Sequence, residues 1–240
     1  MRCKFVRVEN LLTLHNSFEE IRNTAPSLDR ISVVFGQTGS GKSTSIVYLI
    51  HGVGGIYVRA GAFWSLNEMT KAIYEELSAT PERTIATRVR KIVEAMKARG
   101  LPLFIDEADY LLKNPLLLEI ARDIHDTSRQ PVWLIGTKEI ERELTNFKAM
   151  AGRTSQEVVF EPCNLEDTHR LAHELCEVKA SVDLVEKLHS DSYGNIRLIC
   201  AGLSRIESFA KHQGLESIDL QHWGNRKFFL GRQLKACKPV

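Results

Sequence analysis

The sequence predicts an α/β protein in which a five-stranded parallel sheet is flanked by helices and followed by a small helical C-terminal part. Three observations lead to this prediction. Five short apolar runs between residues 30 and 160 alternate with segments of helical periodicity, the order expected of parallel strands joined by crossover helices. A glycine-rich junction at 36–44 joins the first apolar run to the first helical segment. After Pro162 only helical patterns follow.

The predicted strands are rich in β-branched and aromatic residues and are bounded by glycine, proline or charged residues. They are expected at 30–35, 56–59, 101–106, 131–137 and 157–160. The predicted helices carry apolar residues three and four positions apart, as from Leu66 through Met69 and Ile73 to Leu77. They are expected at 42–51, from 65, from 85 to 100, and at 115–127, 138–146, 165–178, 182–189, 196–211 and from about 218.

Composition and these elements divide the 240 residues into three predicted parts. Residues 1–27 are expected to form an N-terminal helical segment, in which Ser17 followed by Glu20 is typical of a helix start. Residues 28–162 are the α/β core, and residues 163–240 are a helical lid with a basic tail. With 43% hydrophobic and 26% charged residues, and without an apolar run of membrane-spanning length, the chain is expected to be cytoplasmic and to have no membrane partner.

Residues 36–43 match the Walker A pattern, Gly-x-x-x-x-Gly-Lys-Ser. Glycines lack Cβ atoms and allow positive φ, so consecutive backbone N–H groups can approach a phosphate beside the positive end of a helix. Lys42 supplies a cation for the β- and γ-phosphates, and the Ser43 hydroxyl is a hard oxygen ligand for Mg²⁺. The pattern predicts nucleotide binding by Gly36, Gln37, Thr38, Gly39, Ser40, Gly41, Lys42, Ser43 and Thr44.

The third predicted strand ends in Asp106 and Glu107, the position where an open α/β sheet places its ligands. We expect Asp106 to hold Mg²⁺ through water and Glu107 to deprotonate the water that attacks the γ-phosphate. The letters Asp-Glu-Ala-Asp at 106–109 also spell a helicase motif. A helicase of that type needs two tandem domains, which 240 residues with a helical tail do not hold.

Four further residues are candidates for the chemistry. Thr137 closes the fourth strand, where it can contact the γ-phosphate or the attacking water. Transfer of a phosphoryl group needs a cation beyond Lys42 and Mg²⁺, and arginine is always charged. Arg142 and Arg153 flank the last helix of the core, and Arg197 follows a helix start at 193–196. We expect one of these arginines to act within its own chain and another to act on a neighbouring subunit, with Arg153 preferred to Arg142.

These motifs together resemble those of the AAA+ ATPases. The resemblance covers roughly residues 28–212 and includes both Walker motifs, a sensor-1-like Thr137, arginine-finger candidates before the last strand and a sensor-2-like Gly194-x-x-Arg197. Within that class, the compact size, the Leu-Ile-Gly-Thr segment ending at Thr137 and the Gly-Asn-Ile-Arg segment ending at Arg197 are similar to the transposition regulators, the family of phage Mu B protein, TnsC and TniB.

The resemblance implies that ATP binds at a subunit boundary and that the protein assembles as rings or helical filaments on duplex DNA of any sequence, delivering target DNA to a transposase. It also implies hydrolysis that is slow and stimulated by DNA or a partner. Two alternatives stay open. A loader of a helicase or replication factor would share the nucleotide chemistry, and a signalling switch would bind nucleotide with little turnover.

Candidate DNA contacts are basic, because phosphate contacts need only lysine or arginine. Arg59 ends the second strand just before 61–64, a loop that faces DNA in the resembling family. Arg83, Arg90 and Lys97 are further candidates on the predicted outer face of the helix at 85–100, although such a face is more often simply a solvated surface. The basic residues of this face are Arg83, Arg88, Arg90, Lys91, Lys97 and Arg99. After Asp219, basic residues interleave with Trp223, Phe228 and Phe229. These aromatics suit either nucleic acid or a protein partner, or else they pack the lid.

Overall fold

The computed structural model describes residues 1–78 and 80–229. Within these residues, five parallel strands form one sheet in the order β2-β3-β4-β1-β5. The strands are β1 (Ile31–Gly36), β2 (Ile56–Arg59), β3 (Leu103–Asp106), β4 (Val132–Gly136) and β5 (Thr154–Phe160). The predicted α/β class and the five-stranded parallel sheet are confirmed. The central position of β1 places the end of that strand between two neighbours, at the carboxyl edge of the sheet.

The helices between the strands begin and end where local chemistry favours it. Ser65 and Glu68 form a reciprocal capping box before α3, and Asn114 caps α5, which has a proline in its first turn. Gly100 ends α4 in the left-handed region at φ 64°. These helices are α2 (Lys42–Val53), α3 (Leu66–Glu75), α4 (Ile85–Arg99), α5 (Pro115–Ser128), α6 (Lys138–Leu144) and α7 (Lys148–Ala151), with a 3₁₀ helix at Ala108–Lys113.

The described residues form two compact units. The core unit consists of Thr13–Gly36 and Lys42–Phe160, and it holds the sheet. The C-terminal unit consists of Met1–Leu12, Gln37–Gly41 and the described residues from Glu161 onward. The middle of the glycine-rich junction is thus grouped with the C-terminal unit. The domain boundaries at 27 and 162 stay a prediction.

The central strands β1, β3 and β4 are buried on both faces of the sheet, as their continuous apolar sequences indicate. Alternate residues of each strand point to opposite faces. Val33, Ile105 and Leu134 belong to one apolar cluster, which also contains residues of α3, α4 and α5. Their neighbours Phe104 and Trp133 belong to a second cluster, in which these two rings and the ring of Phe18, from the N-terminal helix, lie 6.0–6.3 Å apart.

The N-terminal helix α1 (Glu9–Asn23) differs from the sequence prediction. Ser17 lies inside this helix and does not begin it. The helix begins eight residues earlier, where the backbone N–H of Glu9 donates to the Asp167 carboxylate at 2.8 Å. A carboxylate at a helix N-terminus satisfies an unpaired donor and interacts favourably with the helix dipole. Because this cap comes from a residue 158 positions away, no local pattern predicts it.

The C-terminal unit is mainly helical, with α8 (Leu165–Leu175), α9 (Val182–Ser192), α10 (Ile196–His212) and α11 (Leu220–Trp223). It also contains a parallel ladder of two-residue strands, β6 (Lys179–Ala180) and β7 (Ser217–Ile218), where the sequence predicts only helices. Strands of two residues are too short to produce an alternating pattern.

The aromatic residues near the end of the described chain pack the C-terminal unit. Trp223 and Phe228 are buried and stack at 5.2 Å, and Phe209 meets Trp223 edge-on at 5.7 Å. Of the two interpretations of these aromatics, packing of the lid is therefore the correct one for Trp223 and Phe228. The predicted basic tail, with Arg232, Lys235 and Lys238, lies outside the described residues.

In the parts of the chain that the structure describes, no helix has the length and apolar content needed to cross a membrane.

Candidate nucleotide site

The two ends of the Walker A segment lie in the core unit. Gly36 is the last residue of β1, and a Cβ atom at this position would lie 2.4 Å from the Phe160 carbonyl oxygen, so only glycine fits beside β5. Lys42 is the first residue of α2, and its Nζ donates to the Gly36 carbonyl at 2.8 Å. Ser43 and Thr44 follow in the first turn, where both are exposed and no acidic residue is present. The start of α2 is therefore suited to an anion.

The middle of the Walker A segment, Gln37–Gly41, belongs to the C-terminal unit. Gly39 and Gly41 have φ values of 86° and 92°, as a loop that presents backbone N–H groups to phosphate requires. The start of α10 contacts this loop. The Arg197 N–H donates to the Gly39 carbonyl at 3.1 Å, and Asn195 Nδ2 donates to the Thr38 carbonyl at 2.8 Å.

Asp106 lies at the carboxyl end of β3 and is 3% exposed. Its carboxylate accepts a hydrogen bond from the Tyr57 hydroxyl at 2.8 Å and one from the Glu107 N–H at 2.8 Å. Burial and then the bond to Asp106 raise the pKa of Tyr57, so Tyr57 stays a donor. A carboxylate has about four acceptor sites, which leaves Asp106 able to bind the water shell of Mg²⁺, and Ser43 offers an exposed hydroxyl. These residues fit a Mg²⁺–nucleotide site.

Glu107 adopts the left-handed conformation, at φ 54°, directly after β3. Its carboxylate accepts a hydrogen bond from Arg59 Nη2 at 2.9 Å, and that bond raises the pKa of Arg59. The side chains of Arg59 and Glu107 are 68% and 37% exposed. Arg59, one of the DNA-contact candidates of the sequence, thus contacts the predicted general base. Exposed ion pairs of this kind contribute only about 0.2–1 kcal/mol and exchange readily.

Thr137 is held by Asp109, which sequence analysis assigned no role. Both oxygens of the Asp109 carboxylate accept from the Thr137 N–H, at 3.1 and 2.9 Å, and the Thr137 hydroxyl donates to the same group at 2.8 Å. The hydroxyl oxygen also accepts from the Glu139 N–H and caps α6. The single hydroxyl proton of Thr137 is therefore already used, and a contact from it to a phosphate requires this bond to open.

The two arginine-finger candidates of the core unit differ in accessibility. Arg153 is 35% exposed, and its guanidinium donates to Asp126 at 2.9 Å and to the Ala149 carbonyl at 3.0 Å. Arg142 is 73% exposed and pairs with its sequence neighbour Glu143. The order of preference that the sequence favoured, Arg153 before Arg142, does not follow from this geometry. Arg197 is exposed near the start of α10.

One further group of potential metal ligands occurs among the described residues, namely Asp29, His125 and Asp126. His125 is fully buried, and both of its ring nitrogens are engaged. Nε2 accepts from the Arg30 N–H at 3.1 Å, and Nδ1 lies 3.1 Å from Asp126. Burial lowers the pKa of His125, so the neutral ring donates from Nδ1 to Asp126 and has no lone pair left for a metal.

The remaining DNA-contact candidates lie on or beside α4. Arg83, Arg90 and Lys97 are exposed, as predicted, and Arg90 lies 3.9 Å from Glu94. Arg88 is not on the outer face. It is buried and donates to the Glu82 carbonyl at 3.1 Å and to Asn67 at the start of α3. The loop after β2 carries Phe63, which is 95% exposed.

Comparison with known proteins agrees with this arrangement. The model of a family described as AAA domain matches residues 24–144, half of the chain, and includes both Walker motifs. No curated protein matches the chain in sequence.

Solved structures share the fold. Cdc6p from Pyrobaculum aerophilum has a TM-score of 0.64 at 17% identity, with 90% of this chain and 66% of that chain covered. ORC1 from Aeropyrum pernix, solved in complex with DNA, has a TM-score of 0.63 at 19% identity, covering 90% and 64%. RuvB from Thermotoga maritima, a Holliday junction branch migration motor, has a TM-score of 0.62 at 19% identity, covering 91% and 67%.

The chain thus spans slightly less than two thirds of the Cdc6p and ORC1 chains that it matches. At these identities the likeness establishes the fold, whereas the family match covers the phosphate loop, the acidic end of β3 and Thr137. The chain belongs to the AAA domain family, whose members are generally nucleotide-hydrolysing ATPases.

Proposed function

We propose that this protein is an ATP-dependent, DNA-binding ATPase that assembles as an oligomer or filament on duplex DNA and delivers target DNA to a transposase. The family and the Walker motifs support the ATPase part. The resemblance of residues 134–137 and 194–197 to transposition regulators supports the transposition part. That ORC1 was solved in complex with DNA is compatible with a DNA-associated role for this fold.

Each residue of the site has a proposed role in hydrolysis. Backbone N–H groups within 36–43 and the Lys42 ammonium hold the β- and γ-phosphates. Ser43 and Asp106 hold Mg²⁺, which, when bound, neutralises the charge that develops on the phosphates. Glu107 accepts the proton of the attacking water, and Thr137 orients that water once its bond to Asp109 opens. Arg197 and an arginine of a neighbouring subunit supply the remaining positive charge.

The proposal that DNA controls hydrolysis rests on the Arg59–Glu107 ion pair. While Arg59 holds the Glu107 carboxylate at 2.9 Å, the negative charge needed to attract a water proton is partly neutralised. A DNA phosphate competes for Arg59, because that side chain is 68% exposed and phosphate forms strong bidentate contacts with arginine. Release of Glu107 then raises turnover. Slow basal hydrolysis and DNA stimulation follow from the same contact.

Assembly places an arginine on the nucleotide of a neighbouring subunit, and Arg142 is the better candidate on grounds of accessibility. Its guanidinium is exposed and pairs with an adjacent glutamate, Glu143. Arg153 would have to leave Asp126, whose pKa is lowered by that hydrogen bond against the opposing effect of burial.

A second candidate function is loading of a helicase or replication factor. The likeness to Cdc6p and ORC1 is compatible with it, and the nucleotide chemistry would be the same. A signalling switch with little turnover is less well supported, because Glu107 has no evident role in binding alone.

The decisive experiment is sedimentation and electron microscopy of the protein with non-specific duplex DNA, with and without a slowly hydrolysed ATP analogue. We expect analogue-dependent rings or filaments on DNA. Particles that stay monomeric and off DNA at low salt contradict the proposal. If assemblies form, binding assays with a purified transposase and a purified replicative helicase separate the two candidate functions.

A further inference from the structure

The phosphate loop is bound by two residues at the start of α10, the N-cap residue Asn195 and Arg197. Asn195 Nδ2 donates to the Thr38 carbonyl at 2.8 Å, and two residues later the Arg197 N–H donates to the Gly39 carbonyl at 3.1 Å. All four residues belong to the C-terminal unit. Two successive peptide groups of the loop are thus each held by their oxygen atoms.

Holding a peptide oxygen also fixes the direction of the next N–H. The peptide group is planar, and in the trans form its C=O and N–H bonds point in opposite directions. The loop contains only trans peptides. The bond from Asn195 therefore turns the Gly39 N–H away from α10, and the bond from Arg197 does the same for the Ser40 N–H, which closes a turn on the Gln37 carbonyl at 3.2 Å.

The Asn195 side chain is itself held in place. Its Oδ1 accepts a hydrogen bond from the Leu198 N–H at 3.2 Å and so caps α10. The other end of the amide is therefore the Nδ2 group, which is a donor. Gly39 packs against this amide so closely that a Cβ atom would lie 2.5 Å from Asn195 Oδ1. A residue with a Cβ atom at position 39 would therefore displace the Asn195 amide.

We propose that Asn195 is a positioning residue for nucleotide binding, which fixes the Thr38–Gly39 peptide so that the Gly39 N–H faces a bound phosphate. This inference rests on the proposed nucleotide site and goes beyond it, because it assigns a role in affinity to a residue that does not itself contact the nucleotide. In the Asn195 amide, Oδ1 caps the helix and Nδ2 donates to the Thr38 carbonyl. These two roles can therefore be separated by substitution.

The test is Asn195→Ser, which keeps a capping oxygen for Leu198 but removes the amide donor to Thr38. Asn164→Ser is the matched control, because Asn164 caps α8 through Oδ1 and donates from Nδ2 to Glu9 instead of to the loop. Binding of a fluorescent ATP analogue, steady-state hydrolysis and thermal melting without nucleotide are measured for the wild type and both variants.

We expect Asn195→Ser to raise the Kd and KM for nucleotide about 3–10-fold, the range for one hydrogen bond, with kcat changed less than about twofold. The Asn164→Ser control should bind nucleotide like the wild type, and the Tm of the two variants should fall by similar amounts. Amide hydrogen exchange at residues 37–41 should be faster in Asn195→Ser than in the wild type, and unchanged in Asn164→Ser.

Asn195→Asp gives a second test, because aspartate caps a helix well but presents only acceptors to the Thr38 carbonyl. Asn195→Asp should weaken nucleotide binding at least as much as Asn195→Ser does. This expectation holds even if Asn195→Ser lowers the Tm more than the control does. If Asn195→Ser and Asn195→Asp both bind nucleotide with wild-type affinity, the inference is wrong, whereas the proposed nucleotide site is not contradicted. A wild type that binds nucleotide but does not assemble on DNA contradicts the proposed function only. A wild type that binds no nucleotide contradicts both.

Discussion

The phosphate loop and the acidic end of β3 are held in opposite ways. In the loop, main-chain carbonyls are bound by Asn195, the N-cap residue of the seventeen-residue helix α10, and by the N–H of Arg197, and a Cβ atom at Gly39 would clash with the Asn195 amide. At the end of β3, carboxylates are bound by side chains from other strands and segments, namely Tyr57, Arg59 and Thr137. One of these bonds, between Arg59 and Glu107, is largely exposed.

The difference separates binding from turnover. Geometry that depends on packed main-chain groups changes little when solvent or partners change. An exposed ion pair is weak and is exchanged for any stronger ligand. We therefore expect substitutions in the loop to change affinity, and those at the acidic end to change the rate and its control. The following substitutions test this division, beginning with the largest expected effect.

Lys42→Ala should reduce the affinity for ATP by about 100-fold or more, because a charge-assisted contact to two phosphates is lost. Calorimetric titration with ATP and Mg²⁺ measures the change. Lys71→Ala is the control, since Lys71 is an exposed lysine of α3 that lies 3.6 Å from Glu75. Tight binding by Lys42→Ala would contradict the assignment of the loop.

Glu107→Gln should lower kcat by about 100-fold or more while the Kd for ATP stays within about threefold of wild type. Glutamine has nearly the shape of glutamate but does not accept the proton. Single-turnover hydrolysis separates the chemical step from binding. If Kd and kcat change together, the acidic end also determines affinity, and the division between the two regions is wrong.

Arg59→Ala should raise basal turnover by about 2–5-fold and abolish stimulation by duplex DNA, since an exposed ion pair of modest strength is removed. Phosphate release is measured with and without DNA, and Arg22→Ala, at an exposed arginine that pairs with Glu19 and is not a candidate DNA contact, serves as a control for general loss of positive charge. A fall in basal turnover similar to that of Glu107→Gln would mean that Arg59 takes part in the chemistry.

The smallest expected effect concerns Glu207, in the later part of α10, the helix whose start binds the loop. Burial opposes ionisation of this carboxyl, but hydrogen bonds, first from Lys211 and also from the Glu177 N–H, lower its pKa from 4.5 to about 2. The pKa is lower in the folded state, so its stabilising contribution is complete above about pH 4.5 and is lost as the pH falls toward 2. Glu207→Gln should lower the Tm at pH 7 and reduce the dependence of Tm on pH between 5 and 3. Equal pH dependence of the two proteins would contradict this role.

Sequence patterns predicted the sheet because the central strands β1, β3 and β4 are buried on both faces and read as uninterrupted apolar runs. They also found the residues of both Walker motifs, whose types follow from phosphate and metal chemistry. They did not find Tyr57 or Asp109, because those contacts depend on which strands are neighbours. Once β2 is known to pair with β3, with Arg59 opposite Asp106, the approach of Arg59 to the acidic end follows. Arg88 was misplaced because a buried arginine bonded to Asn67 and Glu82 carries no local signal that distinguishes it from an exposed one.

The placement of the three tryptophans makes the protein's own ultraviolet emission informative. Trp133 and Trp223 are enclosed by other side chains, so their emission should lie at short wavelength and be insensitive to added quenchers. Trp64 is half-buried, closes the turn at 61–64 and stands next to the exposed Phe63. Any part of the tryptophan emission that lies at long wavelength and is quenched therefore comes from Trp64. A change in that emission would report binding of a ligand beside Arg59, without an added label.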